Sequence, residues 1–133
     1  MENIESRATI DIPCNAKISA VCAQDVCAFL GTEKGEVVKA DLNTRKVMAK
    51  YHTEFEFPII NMRIGKDFLV LGTCHGQIHV LSFSLKPLTV VSAHKGMVTL
   101  LHADQNEVYS VGDEGVLRVW TCRDSCLIEK GAK

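Results

Sequence analysis

The stretch YSVGDEGVLRVW, residues 109–120, contains two short runs of strand-forming residues on either side of a turn. Residues 109–111 and 116–120 include valine, tyrosine and tryptophan, which favour β-strands. Residues 112–115 between them read Gly-Asp-Glu-Gly, and these residue types favour tight turns. The stretch therefore predicts a β-hairpin whose second strand ends at Trp120.

Two other stretches share this arrangement, FLGTEKGEVVKADL (29–42) and VLGTCHGQIHVLSF (70–83). The second glycine of the three stretches falls at Gly35, Gly76 and Gly115, so that the spacings are 41 residues (35 to 76) and 39 residues (76 to 115). A period near 40 residues with several short strands in each unit is typical of β-propeller blades. We therefore expect the chain to consist of repeated blades.

Each unit divides into four candidate strands separated by turn residues. The middle strands are rich in valine, isoleucine and leucine, which is typical of strands packed between neighbouring blades. Helical periodicity is not convincing anywhere in the chain. The predicted strands are residues 18–23, 25–31, 36–42 and 46–51, then 59–64, 67–73, 77–83 and 87–93, and finally 97–103, 107–112, 116–122 and 126–130.

The length of 133 residues suits a single domain, residues 1–133, which we predict to be all-β. Its three four-stranded antiparallel blades are predicted over residues 18–51, 59–93 and 97–130. The segment ATIDIPC, residues 8–14, also alternates like a strand. It is predicted to be an extra N-terminal strand, the outer strand of a preceding or closing blade.

The composition argues against several classes of function. The formal net charge is −1 and no block of like charge occurs, which disfavours binding to a phosphate backbone. No apolar run approaches the roughly 20 residues that a membrane-spanning helix needs, and the charged N-terminus lacks the apolar stretch of a secretory signal. Six cysteines without a Cys-x-x-Cys pair suit a reducing compartment, so we expect a cytoplasmic or nuclear protein.

Motifs for metal binding are sparse. Cys74, His75 and His79 lie close together, but a closed zinc site needs four converging ligands and no fourth follows at a suitable spacing. We interpret these residues as ordinary turn and surface residues and expect no metal and no cofactor. Cys122 and Cys126 flank a predicted turn and could face each other, although reduced cysteines are favoured.

The third unit also matches a known repeat pattern. Its residues at the positions of that pattern are Ala93-His94 before the first strand, Ser110 in the second strand, Asp113 or Glu114 in the turn and Trp120 in the third strand. In this respect the unit resembles a WD40 repeat, in which Gly-His, Ser/Thr, Asp and Trp occupy these positions. The resemblance implies that His94, Ser110, Asp113 (or Glu114) and Trp120 form a buried, tetrad-like structural hydrogen-bond chain. These residue types could also supply a catalytic triad, but the resemblance favours the structural role and no enzyme is predicted.

The first two units depart from the pattern. Cys14 and His52 lie near the histidine position of the first and second units. The positions of the family's Trp-Asp dipeptide hold, in order along the chain, Ala40-Asp41, Leu81-Ser82 and Trp120-Thr121. The resemblance spans roughly residues 8–130 and implies a WD40-like β-propeller fragment or half-ring.

The loop HTEFEFP, residues 52–58, is longer than its counterpart HKGM, residues 94–97, and its extra residues are acidic and aromatic. Exposed aromatic side chains in a loop can anchor a partner, but they can equally fasten the loop to the core. In the WD40 family these loops share one face with the turns between second and third strands. The candidate partner-binding residues on that face are Glu54, Phe55, Phe57, Lys34, His75, Lys95 and Met97.

A ring of only three blades would leave apolar edges and faces exposed, which natural sheets avoid. The chain is therefore predicted to be a piece of a larger ring, a half-ring that pairs as a homodimer, or a segment completed by blades of another chain. The function implied by the resemblance is a non-catalytic protein–protein interaction scaffold. The alternative is the regulatory or substrate-receptor portion of a larger enzyme, such as a kinase or ubiquitin ligase.

Overall fold

The computed structural model describes Thr9, residues 11–12 and residues 16–130. In this part of the chain, twelve β-strands form three four-stranded antiparallel sheets, and consecutive strands are hydrogen-bonded neighbours in each. The strands are β1 (Ile18–Gln24), β2 (Cys27–Thr32), β3 (Glu36–Asp41), β4 (Val47–His52), β5 (Ile59–Ile64), β6 (Leu69–Thr73), β7 (Gln77–Leu81), β8 (Pro87–Ser92), β9 (Val98–Asp104), β10 (Glu107–Gly112), β11 (Leu117–Arg123) and β12 (Cys126–Glu129).

The predicted fold class is confirmed: the described residues are all-β, with three antiparallel blades that do not close into a ring. Predicted and observed strand ends differ by no more than about two residues. The extra strand predicted at residues 8–14 lies outside the described residues, apart from Thr9, Asp11 and Ile12, which are not in a strand.

The same turn joins the second and third strands of every blade. Gly35, Gly76 and Gly115 have φ angles of 79°, 78° and 84°, a left-handed conformation that glycine adopts without steric cost. In the first two blades a buried threonine precedes the turn, and its hydroxyl accepts backbone N–H groups. Thr73 Oγ1, for example, accepts from the N–H of His75 and of Gln77. These turns explain why the glycines set the period of the sequence.

The blades pack side by side through their first strands, since β5 contacts both β1 and β2, and β9 contacts both β5 and β6. Two apolar clusters fill the spaces between the sheets, and burial of such side chains is the main stabilising contribution. The cluster between the first and second blades comprises Phe29, Val37, Ile59, Met62, Leu69, Leu71, Leu81 and Leu85. The cluster between the second and third blades comprises Phe68, Val70, Ile78, Val80, Ala93, Val98, Leu101, Val108, Trp120 and Leu127.

His79 is buried between the first and second blades, so its interpretation as an ordinary surface residue was wrong. Only 3% of the residue is exposed. Its Nε2 lies 3.1 Å from Gln77 Oε1 and its Nδ1 lies 3.1 Å from the hydroxyl of Tyr51 on β4. Both ring nitrogens are satisfied when the neutral imidazole donates to Gln77 and accepts from Tyr51. Burial lowers the pKa of His79 to about 4.

This histidine should make the stability of the chain depend on pH. A histidine with the usual pKa of 6.5 binds a proton in the unfolded chain, whereas folded His79 stays neutral down to about pH 4. The free energy of unfolding is therefore expected to fall as pH falls from 6.5 to 4, by about 3 kcal/mol from this residue. Urea unfolding at several pH values measures it. His79→Gln should lose this pH dependence of the free energy of unfolding, whereas His52→Gln, at an exposed site, should keep it. An equal pH dependence in the two variants would contradict the assignment to His79.

The two outer faces of the array carry exposed apolar side chains. On the far side of the third blade, which we call the last flank, Leu100 is 65% and Leu117 is 61% exposed. On the near side of the first blade, Ile18 and Val21 of β1 are 41% and 61% exposed. The other apolar members of the last flank are Tyr109, Val111, Val119 and Ile128.

Candidate protein-binding surface

A chain of hydrogen bonds joins the loop after β8 to the third blade. His94 Nε2 lies 2.8 Å from Ser110 Oγ on β10, and the indole N–H of Trp120 on β11 donates to the same oxygen at 2.9 Å. On the other side of the imidazole, His94 Nδ1 lies 2.7 Å from Glu114 Oε1. Because Ser110, His94 and Trp120 are buried, their polar side-chain atoms need the partners that these hydrogen bonds supply.

The acidic residue in this series of hydrogen bonds is Glu114 and not Asp113. The carboxylate of Glu114 also accepts the backbone N–H of Lys95 at 2.7 Å. Desolvation raises the pKa of Glu114, but hydrogen bonds from the N–H of Lys95 and from His94 outweigh it, so the pKa lies below its usual value. Asp113 is exposed, and its side chain lies beside Gly96, which belongs to the same loop as Lys95.

These bonds fix the position of the loop over residues 93–97. Its start is also held by the second blade, because the N–H groups of Ala93 and His94 donate to the carbonyl of Gly76 at 2.9 and 3.1 Å. These hydrogen bonds hold the loop against both the second and the third blade. Since Ser110 is buried and already hydrogen-bonded to His94 and Trp120, it is not presented to a substrate.

A stack of three rings covers the turn between β6 and β7. Phe57 lies on His75, with ring centroids 3.6 Å apart and planes 12° from parallel. Phe55 follows, with its centroid 5.3 Å from that of Phe57 and an interplanar angle of 28°. Phe55 is 50% exposed, so the outer end of the stack presents aromatic surface to solvent.

Backbone hydrogen bonds connect this stack to the turns on either side. The N–H of Cys74 donates to the carbonyl of Pro58 at 3.1 Å, and the N–H of Thr53 donates to the carbonyl of Gly35 at 2.9 Å. The loop over residues 53–58 therefore lies against the turn that carries Lys34 and the turn that carries His75. Residues 74–76 in turn contact the loop that carries Lys95 and Met97.

The predicted partner-binding residues thus lie on consecutive loops and turns at one end of the blades. We call this end the loop face; the candidates that it carries are Lys34, Glu54, Phe55, Phe57, His75, Lys95 and Met97. Phe57 is half-buried and supports the stack, whereas Lys34, Glu54, His75, Lys95 and Met97 are exposed. Glu56, which was not among the predicted residues, is exposed on the same loop.

Two features of this face were missed from the sequence. One is the contact of Phe57 with His75, since nothing in either segment indicates that their rings meet. The other is that Thr53, not His52, is the counterpart of His94. Both residues lie 18 positions after the turn glycine, and both donate a backbone N–H to that glycine's carbonyl. The constant distance from the glycine was the signal that could have found it.

Beside the loop face, a cleft of about 590 Å³ opens next to the hydrogen-bond chain. It is lined by Ser92, Ala93, His94, Lys95, Glu114, Val116 and Arg118. Among the described residues, no group of three or more His, Cys, Asp or Glu side chains is placed to hold a metal ion. Cys122 pairs with Leu127 and Cys126 pairs with Arg123 across β11 and β12, so the two cysteines point to opposite sides of the sheet.

No family model matches the chain, and no curated protein matches it in sequence. Solved structures do match. A computationally designed protein, Ika4, has a TM-score of 0.81 at 16% identity, covering 97% of this chain and 82% of that one. The WD40 repeats of RRP9 give 0.77 at 15% identity, and a chain of the mitotic checkpoint complex gives 0.76 at 19%; each match covers 89% of this chain.

These matches show the fold alone: the chain has the blade arrangement of WD40-type propellers. It spans 39% of the RRP9 chain and 37% of the chain in the mitotic checkpoint complex. Over the described residues, the chain contains no helix of the length and apolar character that crossing a membrane requires.

Proposed function

We propose that the chain is a non-catalytic protein–protein interaction scaffold that binds partners through its loop face. The observation that carries the proposal is the half-exposed aromatic stack of Phe55, Phe57 and His75, set on hydrogen-bonded turns. Large aromatic side chains held in one position are effective anchors, because little conformational entropy is lost when they bind.

The surroundings of the stack suit a protein ligand. Glu54 and Glu56 flank Phe55, while Lys34 and Lys95 lie on neighbouring turns, so both signs of charge border an apolar centre. An apolar centre with a polar, charged rim is the usual composition of a protein interface. The fold supports the same class of function, although fold by itself does not establish function.

The scaffold is proposed to act within a ring completed by further blades, supplied by a second copy or by another chain. The exposed apolar residues of both outer faces support this, because contiguous exposed apolar surface marks an interaction site. The buried hydrogen-bond chain of His94 is assigned the structural role of fixing a loop. A reducing intracellular location, cytoplasmic or nuclear, is part of the proposal.

The alternative function is the regulatory or substrate-receptor portion of a larger enzyme. The open ring favours it as well, since the same loop face would then present a substrate to a catalytic domain elsewhere. Both versions place no chemistry on this chain, and both require the loop face to bind protein.

The loop face can be tested with a phage-displayed library of random linear peptides, selected against the immobilised chain. Peptides that bind the unmodified chain should bind Phe55→Ala about tenfold or more weakly, because truncation of a central aromatic anchor costs this much. Val26→Ala is the matched control, since Val26 is 45% exposed in the turn at the opposite end of the first blade. Selection of no binders, or binders equally sensitive to both substitutions, would refute the loop-face proposal.

A further inference from the structure

Both junctions between blades are built in the same way. At the first junction, the backbone of Gly31 on β2 lies against Ile59 and Met62 of β5, so closely that an added Cβ would stand 2.8 Å from Ile59 Cγ2. At the second, Gly72 on β6 lies equally close to Val98 of β9. At each junction, the backbones of the first two strands of one blade therefore lie closest to the first strand of the next.

The last flank has the positions of a third such junction without the blade that would fill it. Counted from the turn glycines, Leu117 corresponds to Ile78 and Tyr109 corresponds to Val70. Ile78 and Val70 are fully buried against the next blade, whereas Leu117 is 61% and Tyr109 is 36% exposed. The third blade thus presents apolar side chains where the second blade uses them for packing.

A hydroxyl group repeats the polar contact of the first junction. Ser19 Oγ on β1 lies 3.3 Å from the carbonyl of Gly31 in its own blade and 2.5 Å from the carbonyl of Ile59 in the next blade. Thr99 occupies the corresponding position of the third blade and donates to the carbonyl of Val111 at 3.0 Å. Val111 occupies the position that Gly31 has in the first blade. Thr99 is exposed, so an incoming strand could place a carbonyl beside it, and its single O–H proton would then be shared with Val111 or turned to the new carbonyl, as for Ser19 between two carbonyls.

Strand β1 has the matching positions of an incoming first strand. Ile18 and Val21 correspond to Ile59 and Met62, which are fully buried at the first junction. One position differs from the internal junctions. Val111 stands where they have a glycine against Ile59 or Val98, so Val111 and Ile18 must move apart slightly when the strands meet. Val21 is shorter than Met62 and leaves space beside this pair.

The contact is expected to centre on β1. Behind it on the same face of the first blade, Val38 and Ala40 are already buried, with 0% and 1% exposure. The first strand is also the element whose backbone approaches the preceding blade most closely at both internal junctions. The exposed strand of the first blade is thus the one that a junction brings nearest to its neighbour.

From these correspondences, and resting on the proposed need for further blades, we propose that the blade completing the ring comes from a second copy of this chain. The last flank of one copy binds β1 of the other, and the carbonyl of Ile18 takes the place that the carbonyl of Ile59 has next to Ser19. Two such head-to-tail contacts, related by a twofold axis, close a ring of six blades.

Two single variants test the direction of the contact. Val21→Asp blocks only the β1 side and Leu117→Asp blocks only the last flank; both side chains are 61% exposed, so the fold should tolerate the change. By sedimentation velocity the unmodified chain is expected at twice its mass of 14.7 kDa and each variant alone at 14.7 kDa. An equimolar mixture of the two should regain the double mass at high concentration, since one intact contact remains. Circular dichroism confirms that each variant is folded.

The control is Phe55→Asp, which changes the loop face and should leave the mass of the dimer unchanged. A Val21→Asp chain that still dimerises by itself would overturn the head-to-tail contact, and so would a mixture that stays monomeric or an unmodified chain that never dimerises. Such results would leave the loop-face proposal standing, because peptide binding to that face is measured separately.

Discussion

Replacement of Gly76 by alanine is expected to lower the free energy of unfolding by about 3 kcal/mol or more. The residue has a φ of 78°, which an L side chain adopts only with strain. A Cβ at this position would also stand 2.0 Å from the carbonyl oxygen of His94 and 2.6 Å from that of Gly96. Because both obstacles are backbone atoms, the loop that carries His94 would have to move. Urea unfolding of the variant and the unmodified chain measures the loss.

Gly115 provides the matched control for this substitution. Its φ of 84° is nearly the same, but among the described residues beyond its own chain neighbours no atom lies within 4 Å of an added Cβ. Gly115→Ala is therefore expected to cost only the strain of the left-handed conformation, about 1 kcal/mol. Equal losses in the two variants would mean that the close approach of the loop to the turn at Gly76 is not as described.

Removal of the Ser110 hydroxyl is the second large effect that we expect. Ser110→Ala leaves the buried N–H of Trp120 and the Nε2 of His94 without the oxygen that both contact. Leaving buried polar groups unpaired should destabilise the chain by about 2–4 kcal/mol. Because Trp120 is the single tryptophan of the chain, its fluorescence during urea unfolding reports the change at the site itself.

Ser84→Ala is the corresponding control, because Ser84 is exposed and its hydroxyl lies 2.9 Å from that of Ser82 on the surface. Its stability should change by less than about 0.5 kcal/mol. If Ser110→Ala were equally mild, the hydrogen-bond chain through His94 would not fix the loop as assigned.

The fold could be predicted from the sequence because local and tertiary preferences agree in each blade. Gly35, Gly76 and Gly115 occupy turns with positive φ, which few other residues tolerate, so their spacing records the blade period directly. The middle strands of the second blade are buried on both sides, and their valine and leucine content reflects this. Strand positions and blade number were therefore accessible without knowledge of long-range contacts.

The details of the loop face could not be predicted in this way. Asp113 and Glu114 are adjacent, and only the loop position shows which carboxylate reaches His94. The stacking of Phe57 on His75 joins two segments that no local pattern relates. His79 lies between Ile78 and Val80, which are both buried, but the sequence does not show whether the ring nitrogens of a histidine have hydrogen-bond partners. Each of these features depends on contacts between blades.

An open ring of three blades with two apolar outer faces should not persist as a monomer in solution. Light scattering of the unmodified chain, over about a hundredfold range of concentration, measures this most directly. We expect a species of twice 14.7 kDa that dissociates only on dilution. A well-folded, monodisperse species of 14.7 kDa at every concentration would show that the outer faces tolerate water, and would contradict a ring completed by a second copy.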